Sequence, residues 1–161
     1  MAQRIYHFKG YTVVKNGVEI KLNLDRFSKQ YNEAQAKLDS MVMTSMVPFM
    51  PHDTGNFIDQ TRSKSVSMEG TGQVCAGIGP YGRYLYMGKV MVDEKTGKGP
   101  MRYLSKYGAE TFRFRKGAKL KATERNLKYS DPKTRAKWFD HAKKADGKNW
   151  IEVTKKTAGG G

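Results

Sequence analysis

The residues with the most recognisable chemical spacing are the glycines at 77, 79 and 82. Residues 77–82 read G-I-G-P-Y-G, which matches the G-x-G-x-x-G pattern of dinucleotide-binding proteins. Such a site also requires a helix that opens at the motif, a parallel strand–helix–strand unit and an acidic residue about 20 positions later. The sequence predicts a strand over 74–78 with no helix after it, and the nearest acids, Asp93 and Glu94, fall in a predicted turn. We therefore interpret the glycines as a strand end rather than a nucleotide site.

The other reactive side chains show no spacing typical of a catalytic or metal site. Cys75 is the only cysteine, which excludes intrachain disulfides, thiolate zinc sites and C-x-x-C redox chemistry. The three histidines lie too far apart in sequence for an H-x-x-x-H metal pair. The residues around Cys75 predict an apolar strand with an inert thiol, although the sequence alone leaves a Cys75–histidine nucleophile open. We therefore predict that the chain is not an enzyme and binds no cofactor or metal.

Basic and aromatic side chains alternate in the second half of the chain, an arrangement that can follow phosphates and offer stacking faces to bases. Residues 89–161 carry 20 basic and 8 acidic side chains, against 10 and 7 in residues 1–88. No helix-turn-helix, RNP or zinc-finger pattern accompanies them, so contact is predicted to depend on charge rather than on base sequence. An acidic protein neighbour is an equally suitable partner. The residues predicted to face DNA or that partner are Arg113, Arg115, Lys116, Lys119, Lys121, Arg125 and Lys128.

Length and composition indicate one domain of 161 residues with a net charge of +15 and a mean hydropathy of −0.72. Hydrophobic residues make up 38% of the chain, above the level typical of disordered proteins. No apolar run approaches the roughly 18 residues of a membrane span, and no secretory signal is expected at the N-terminus. The composition thus favours a basic protein made in a reducing compartment.

The N-terminal third predicts a β-hairpin followed by a long helix. Residues 11–22 contain Asn16-Gly17, the preferred pair for a two-residue type I′ turn. Apolar side chains then recur every three or four residues over 24–47, with Asn23 as N-cap and Pro48 as the C-terminal boundary. The predicted apolar face of this helix consists of Leu24, Phe27, Tyr31, Ala34, Leu38, Met41 and Val42.

The rest of the chain predicts a mixture of strands and one further helix. We expect strands within 63–92, a basic loop or hairpin extension over 93–129, a helix over 131–146 and a flexible tail over 155–161. Asp131 is the predicted N-cap of that helix and Gly147 its stop. The predicted fold class is α+β, with a small antiparallel β-sheet, one long N-terminal helix packed on it and a shorter C-terminal helix.

Three stretches in this order resemble the minor capsid proteins of long-tailed bacteriophages, a group related to head–tail joining and tail-completion (neck) proteins. They are residues 48–57 (P-F-M-P-H-D-T-G-N-F), 79–86 (G-P-Y-G-R-Y-L-Y) and 134–144 (T-R-A-K-W-F-D-H-A-K-K). The resemblance covers roughly 24–88 and 130–156. The chain departs from the family pattern at Phe57, where Leu is favoured, and at Gly82, where Ala is usual. Its basic stretch from about 93 to 129 is also longer than the family core.

The resemblance implies a ring in the virion neck, around the DNA conduit between head and tail, assembled in the host cytoplasm. The implied partners are further copies of the chain, neighbouring head-completion and tail-terminator proteins, and packaged DNA through nonspecific contacts. Tyrosines and tryptophan suit subunit contacts because they are large and rigid. The alternative is a stand-alone, sequence-nonspecific nucleic-acid-binding protein. The residues predicted to lie at subunit interfaces are Pro51, Asp53, Thr54, Tyr81, Tyr84, Tyr86, Trp138 and Phe139.

Overall fold

The computed structural model describes residues 6–52, 55–104, 108 and 110–159, and shows the predicted α+β class. A long N-terminal helix and a shorter C-terminal helix are both present. In the described residues, no helix combines the length and apolar character needed to cross a bilayer. The elements in chain order are β1 (Tyr11–Lys15), β2 (Val18–Leu22), α1 (Asp25–Met46), a 3₁₀ turn (Val47–Phe49), α2 (Asn56–Val66), α3 (Gly79–Met87), β3 (Lys89–Asp93), β4 (Met101–Leu104), β5 (Glu110–Arg113), β6 (Leu120–Asn126) and α4 (Trp138–Thr157).

The described strands form three two-stranded antiparallel sheets, β1–β2, β3–β6 and β4–β5, rather than the single sheet that was predicted. The long helix α1 packs mainly against α4, not on a sheet. This correction follows from where the large apolar side chains lie, since every residue of β1, β2 and β4 is exposed. The core forms between helices, and it consists of Val42, Met43, Met46, Met50, Ile58, Trp138, Ala142 and Trp150.

The predicted N-terminal hairpin is confirmed, including its turn. Asn16 and Gly17 have φ of 52° and 79°, as a type I′ turn requires at both central positions. The helix that follows begins at Asp25, whose N–H is accepted by Asn23 Oδ1 at 2.8 Å. Helix α1 ends at Met46, next to the predicted boundary at Pro48.

Only part of the predicted apolar face of α1 is buried. Ala34 and Val42 are almost inaccessible, whereas Phe27 and Tyr31 are 49% and 40% exposed. Tyr31 contacts the rings of Tyr6 and Phe8, with centroids 5.6 and 5.4 Å away. The first turns of α1 therefore support the segment before the hairpin instead of entering the core.

The strands predicted over 63–69 and 74–78 are wrong, and only β3 confirms a strand within 63–92. Residues 63–66 belong to α2, whose buried positions Ile58, Thr61 and Ser65 recur at helical spacing. Two of the three are hydroxyl residues, so the face carries no apolar period. Thr61 Oγ1 donates to Phe57 O at 2.7 Å and Ser65 Oγ lies 3.2 Å from Met43 Sδ. The sequence pattern did not predict this helix because most of its buried side chains are hydroxyls whose hydrogen bonds are made inside the protein.

The tyrosine-rich stretch after residue 78 forms helix α3 rather than a strand. Proline stands in its first turn, and Gly88 follows its end with φ 66°. Proline in the first turn and glycine just after the last turn are the residues that commonly begin and end a helix. A Cβ at Gly88 would also lie 2.7 Å from the Cβ of Ala136, so glycine permits the close approach of the 131–137 segment.

The C-terminal helix occupies Trp138–Thr157 instead of the predicted 131–146. Asp131 caps a turn, with Oδ1 accepting the N–H of Lys133 at 2.8 Å, and the helix begins only after Lys137, which has φ 52°. Gly147 does not stop it because Trp150 docks into the core beyond it. That burial outweighs the roughly 1 kcal/mol cost of a helical glycine. The predicted flexible tail starts inside this helix, and residues 160–161 lie outside the described range.

We expect Trp138→Phe to lower the free energy of unfolding by about 2–4 kcal/mol. The indole is fully buried, and Nε1–H donates to Ala76 O at 2.8 Å, so phenylalanine leaves a void and an unpaired carbonyl. Urea unfolding followed by circular dichroism measures the change. Trp150→Phe is the matched control, because its Nε1–H donates to a half-buried hydroxyl, Ser45 Oγ. An equal or larger loss in the control would contradict the central role of Trp138.

Candidate nucleic-acid interface

Strand β6 presents the exposed cations of the predicted basic segment. Lys121 and Arg125 both lie on this strand and are exposed, on either side of a register shift in its pairing with β3. Thr123 between them donates to Val90 O at 2.9 Å, which ties β6 to β3. Tyr84 of α3 donates to Leu120 O at 2.7 Å and holds the strand to the helical body. We call the exposed cations at and around β6 the basic strand surface: Arg113, Lys116, Lys119, Lys121, Arg125 and Lys128.

Arg115 differs from these residues because its guanidinium is already bound. Its Nε donates to Asp93 Oδ2 at 2.9 Å and its Nη2 to Asp93 Oδ1 at 3.4 Å. Asp93 is 4% exposed and also accepts the N–H of Lys95. The hydrogen bond from Arg115 is the main reason that the pKa of Asp93 lies below its usual value. Arg115 thus fastens the chain after β5 to the end of β3, a positioning role that sequence reasoning did not foresee.

The aromatic residues interleaved with the cations differ in their exposure. Phe112 is 64% exposed and can offer a stacking face. Phe114 is half-buried against Tyr81, with ring centroids 6.3 Å apart. The Tyr129 hydroxyl donates to Leu85 O, and burial raises the pKa of this tyrosine. Among the described aromatic residues Phe112, Phe114 and Tyr129, only Phe112 has an exposed ring, and Arg113 next to it in sequence is also exposed.

Three of the eight residues predicted at subunit interfaces help to hold the subunit together. Trp138 is fully buried, and Tyr86 packs edge-on against it with centroids 4.9 Å apart. Burial, with a smaller contribution from the charge of Asp140, raises the pKa of Tyr86. Phe139 is half-buried and stacks on Trp150 at 6.3 Å. Trp138 in particular belongs to the core and is inaccessible to a neighbour in this structure.

The remaining predicted interface residues lie nearer the surface. Tyr81 is 38% exposed, whereas Tyr84 is half-buried with its hydroxyl bound to β6. Pro51 lines a cavity of about 490 Å³ together with Leu85 and Thr134. The predicted residues Asp53 and Thr54 lie outside the described residues. The structure therefore brings Tyr81 and Tyr84 next to the basic segment, and the cavity that Pro51 lines is also bordered by Lys128 and Tyr129 at the end of that segment.

The glycine motif has a structural explanation. A helix does open there, at Gly79, contrary to the prediction, but residues 74–78 form no strand and the described sheets are all antiparallel. Gly79 has φ 75°, which favours glycine. A Cβ on Gly82 would lie 2.8 Å from Gly77 C, and one on Gly77 would lie 3.2 Å from Phe57 Cζ. Both departures from the neck-protein pattern, Phe57 and Gly82, thus border Gly77.

Cys75 and the histidines show no catalytic arrangement. Cys75 is half-buried in an irregular segment, not a strand, and its Sγ lies 3.5 Å from Gly77 O. His52 Nδ1 is 2.8 Å from Met50 O, and His141 packs its ring near Phe49. Across the ranges that the structure describes, no three His, Cys, Asp or Glu side chains group in a way that could hold a metal ion.

Comparisons with protein-family models, curated proteins and solved structures give no match for this chain. The resemblance to neck proteins therefore stays a prediction that depends on the three motifs and their order.

We expect Gly82→Ala, which introduces the residue usual in the resembling family, to lower the free energy of unfolding by about 1–3 kcal/mol because the new methyl group meets the Gly77 backbone. Thermal or urea unfolding measures this loss. The matched control is Gly147→Ala in α4, where a Cβ meets only Lys143 Cγ at 3.6 Å. That variant should gain roughly 0.5–1 kcal/mol from higher helix propensity. Stabilisation by both substitutions would show that Gly77 and Gly82 do not need their close approach.

We expect the Asp93–Arg115 pair to stabilise the protein at neutral pH and to lose its effect in acid. Because the pKa of Asp93 is lowered in the folded state, its contribution is present above the unfolded-state value of about 3.9 and disappears as pH falls through the folded value. Asp93→Asn should therefore lower the melting temperature at pH 7 and change it much less at pH 2. An equal effect at both pH values would mean that the side chain acts through packing alone.

Proposed function

We propose that this chain is a structural protein of the phage virion neck, of the minor capsid or head–tail joining type, which forms a ring around the DNA conduit between head and tail. The order of the three motifs supports the family, and the distribution of charge supports the conduit. The ring is proposed to contact neighbouring head-completion and tail-terminator proteins. Residues 1–88, which hold most of the family-like core, are nearly neutral, whereas residues 89–161 carry the excess of cations.

The observation that carries the proposal is the basic strand surface itself. Its cations are exposed and lie on and around a two-stranded ribbon, a position from which they reach phosphates without entering a groove. Charge-driven contacts of this kind are weak, dependent on salt and independent of base sequence. Those are the properties that a conduit needs, because DNA must slide past it during packaging and ejection.

Exposed apolar residues of β4 and β5 support assembly with other proteins. Met101, Leu104 and Phe112 are 49%, 67% and 64% exposed. Leu104 and Phe112 lie on one face of this two-stranded sheet and Met101 lies on the other. Two strands alone are marginally stable in water, which favours a partner layer on this sheet. This hairpin is therefore proposed to contact another protein of the neck.

The alternative function, a stand-alone nonspecific nucleic-acid-binding protein, uses the same basic surface but does not need assembly. Sedimentation and electron microscopy of the purified full chain separate the two. The neck proposal expects oligomers that close into a ring with a channel wide enough for duplex DNA. A monomer at every concentration that binds one DNA sequence at nanomolar affinity in physiological salt would contradict it.

We expect Lys121→Gln/Arg125→Gln to weaken binding to duplex DNA of any sequence and to reduce the salt slope of log K by about 2. Fluorescence anisotropy at several salt concentrations measures both quantities. The matched control is Lys143→Gln/Lys144→Gln, which removes two exposed cations from α4 instead. Equal losses in the two variants would show that net charge, rather than the basic strand surface, determines binding.

A further inference from the structure

The β1–β2 hairpin has one apolar face that the described part of the subunit leaves uncovered. Tyr11 pairs with Leu22 and Val13 with Ile20, so these four side chains share a face, and the pair of Val18 and Lys15 extends it to the turn. Their exposure ranges from 41% for Leu22 to 61% for Ile20. The hairpin packs chiefly between its own two strands. We call this set the hairpin apolar face: Tyr11, Val13, Val18, Ile20 and Leu22.

The opposite face of the same hairpin is more polar. It carries Thr12, Val14, Glu19 and Lys21, and the last two form a salt bridge at 3.2 Å. A hairpin with one apolar and one polar face is the pattern of a sheet that is half-buried. Since two strands alone are marginally stable in water, the apolar face indicates a missing partner layer.

The exposed area is large enough for a specific contact. Five apolar residues that are each about half exposed present on the order of 500 Å² of surface, near the largest patch of an ordinary monomer. A standard interface buries about 800 Å² on each partner. The hairpin apolar face with its polar edges approaches that value.

An apolar groove that can accept this face lies elsewhere on the same chain. A groove of about 490 Å³ opens between α1, α3, α4 and the segment after α2, and Leu38, Val42, Val74, Ala76 and Phe139 line it. Its one carboxylate, Asp39, is occupied, because it accepts the N–H of Gly70 at 2.8 Å and that of Gly72 at 3.1 Å. The groove therefore offers apolar walls without a free charge, as an apolar sheet face requires.

Within one subunit the hairpin and the groove are held apart. Phe8 N–H donates to Ser28 Oγ at 2.8 Å, and Asn32 Nδ2 donates to Tyr6 O at 2.8 Å, so the chain before the hairpin is pinned to the first turns of α1. The chain after it has only Asn23 and Leu24 before α1 begins. The groove starts further along α1, at Gln35. The hairpin is thus attached at the N-terminal end of α1, whereas the groove begins ten residues further along the helix.

We propose that the hairpin apolar face of one copy of this chain seats in the groove of the next copy. Two unlike surfaces on one chain give a heterologous, head-to-tail contact, and repetition of such a contact closes a ring when the rotation permits. Apart from Phe139, both surfaces belong to residues 1–88, which are nearly neutral. The contact therefore keeps the strongly basic residues 89–161 of neighbouring copies from facing one another. This inference rests on the self-assembly that the proposed function requires.

The first test compares two doubly charged variants of the hairpin in the full chain. Val13→Glu/Ile20→Glu places two carboxylates on the hairpin apolar face, and Thr12→Glu/Val14→Glu places two on the opposite face. We expect the first variant to raise the protein concentration needed for half-assembly at least tenfold in sedimentation velocity, while the second leaves it within twofold. Circular dichroism checks that both retain the wild-type melting temperature. Equal assembly of the two variants overturns the proposal.

The second test distinguishes a head-to-tail contact from a symmetric hairpin–hairpin contact. Leu38→Gln/Val74→Gln makes the groove polar while the hairpin stays intact, and we expect this variant to be monomeric. Mixed with Val13→Glu/Ile20→Glu, it should form heterodimers that grow no further, because each mixed pair retains one intact contact. Normal assembly of the groove variant alone, or absence of heterodimers from two folded variants, overturns the proposal.

These outcomes are separable from failure of the proposed function. If the wild type forms rings that neither variant disturbs, the hairpin contact is wrong and the ring in the neck stands. If the wild type assembles through the hairpin into open filaments, the contact stands and the closed ring is wrong. A wild type that stays monomeric at all concentrations overturns the hairpin contact.

Discussion

The subunit depends on the burial of one indole, that of Trp138 at the first residue of α4. Its Nε1–H satisfies Ala76 O in an irregular segment, while its ring meets Phe57 of α2 and Tyr86 of α3 edge-on. Three helices and the connection between two of them thus converge on one side chain with 0% exposure. In the described part of the chain, the irregular segment around Ala76 has no neighbouring strand or helical turn to donate hydrogen bonds to its carbonyls. The buried indole N–H of Trp138 supplies such a hydrogen bond, which allows the segment to pack inside the fold.

The basic extension is joined to helix α3 of this body through Tyr84, Tyr129 and the contact of Phe114 with Tyr81. Tyr84 of α3 holds β6 by one hydrogen bond, and the Asp93–Arg115 pair fixes the chain after β5 to the end of β3. The six cations of the basic strand surface are exposed. Under the function proposed above, the helical body determines the shape of the subunit and the ribbon carries the charge that contacts DNA. The exact placement of that charge matters less, since phosphate contacts act over several ångströms.

Local signals predicted some elements well and failed where burial used polar side chains. The Asn16-Gly17 turn and helix α1 were predictable because backbone preference and a strong apolar period each suffice locally. Helix α2 was missed because Thr61 and Ser65 lie on its buried side, where Thr61 donates to Phe57 O of the same helix and Ser65 to Cys75 O. The start of α4 was misplaced because Asp131 and Pro132 are good N-terminal residues that serve a turn here. Arg115 was predicted among free cations, and only the fold brings Asp93 to it.

The sequence by itself determined the α+β class, the hairpin, the uneven charge and the absence of disulfide or C-x-x-C chemistry, because composition and short-range periodicity carry these properties. Tertiary structure alone decided which aromatic residues are core and which are surface, since Trp138 and Phe112 look alike in the sequence and differ from 0% to 64% in exposure. It also decided that the described residues leave one apolar face of the β1–β2 hairpin uncovered. Both depend on which distant segments meet, and that is settled by the packing of the whole chain rather than by any stretch of it.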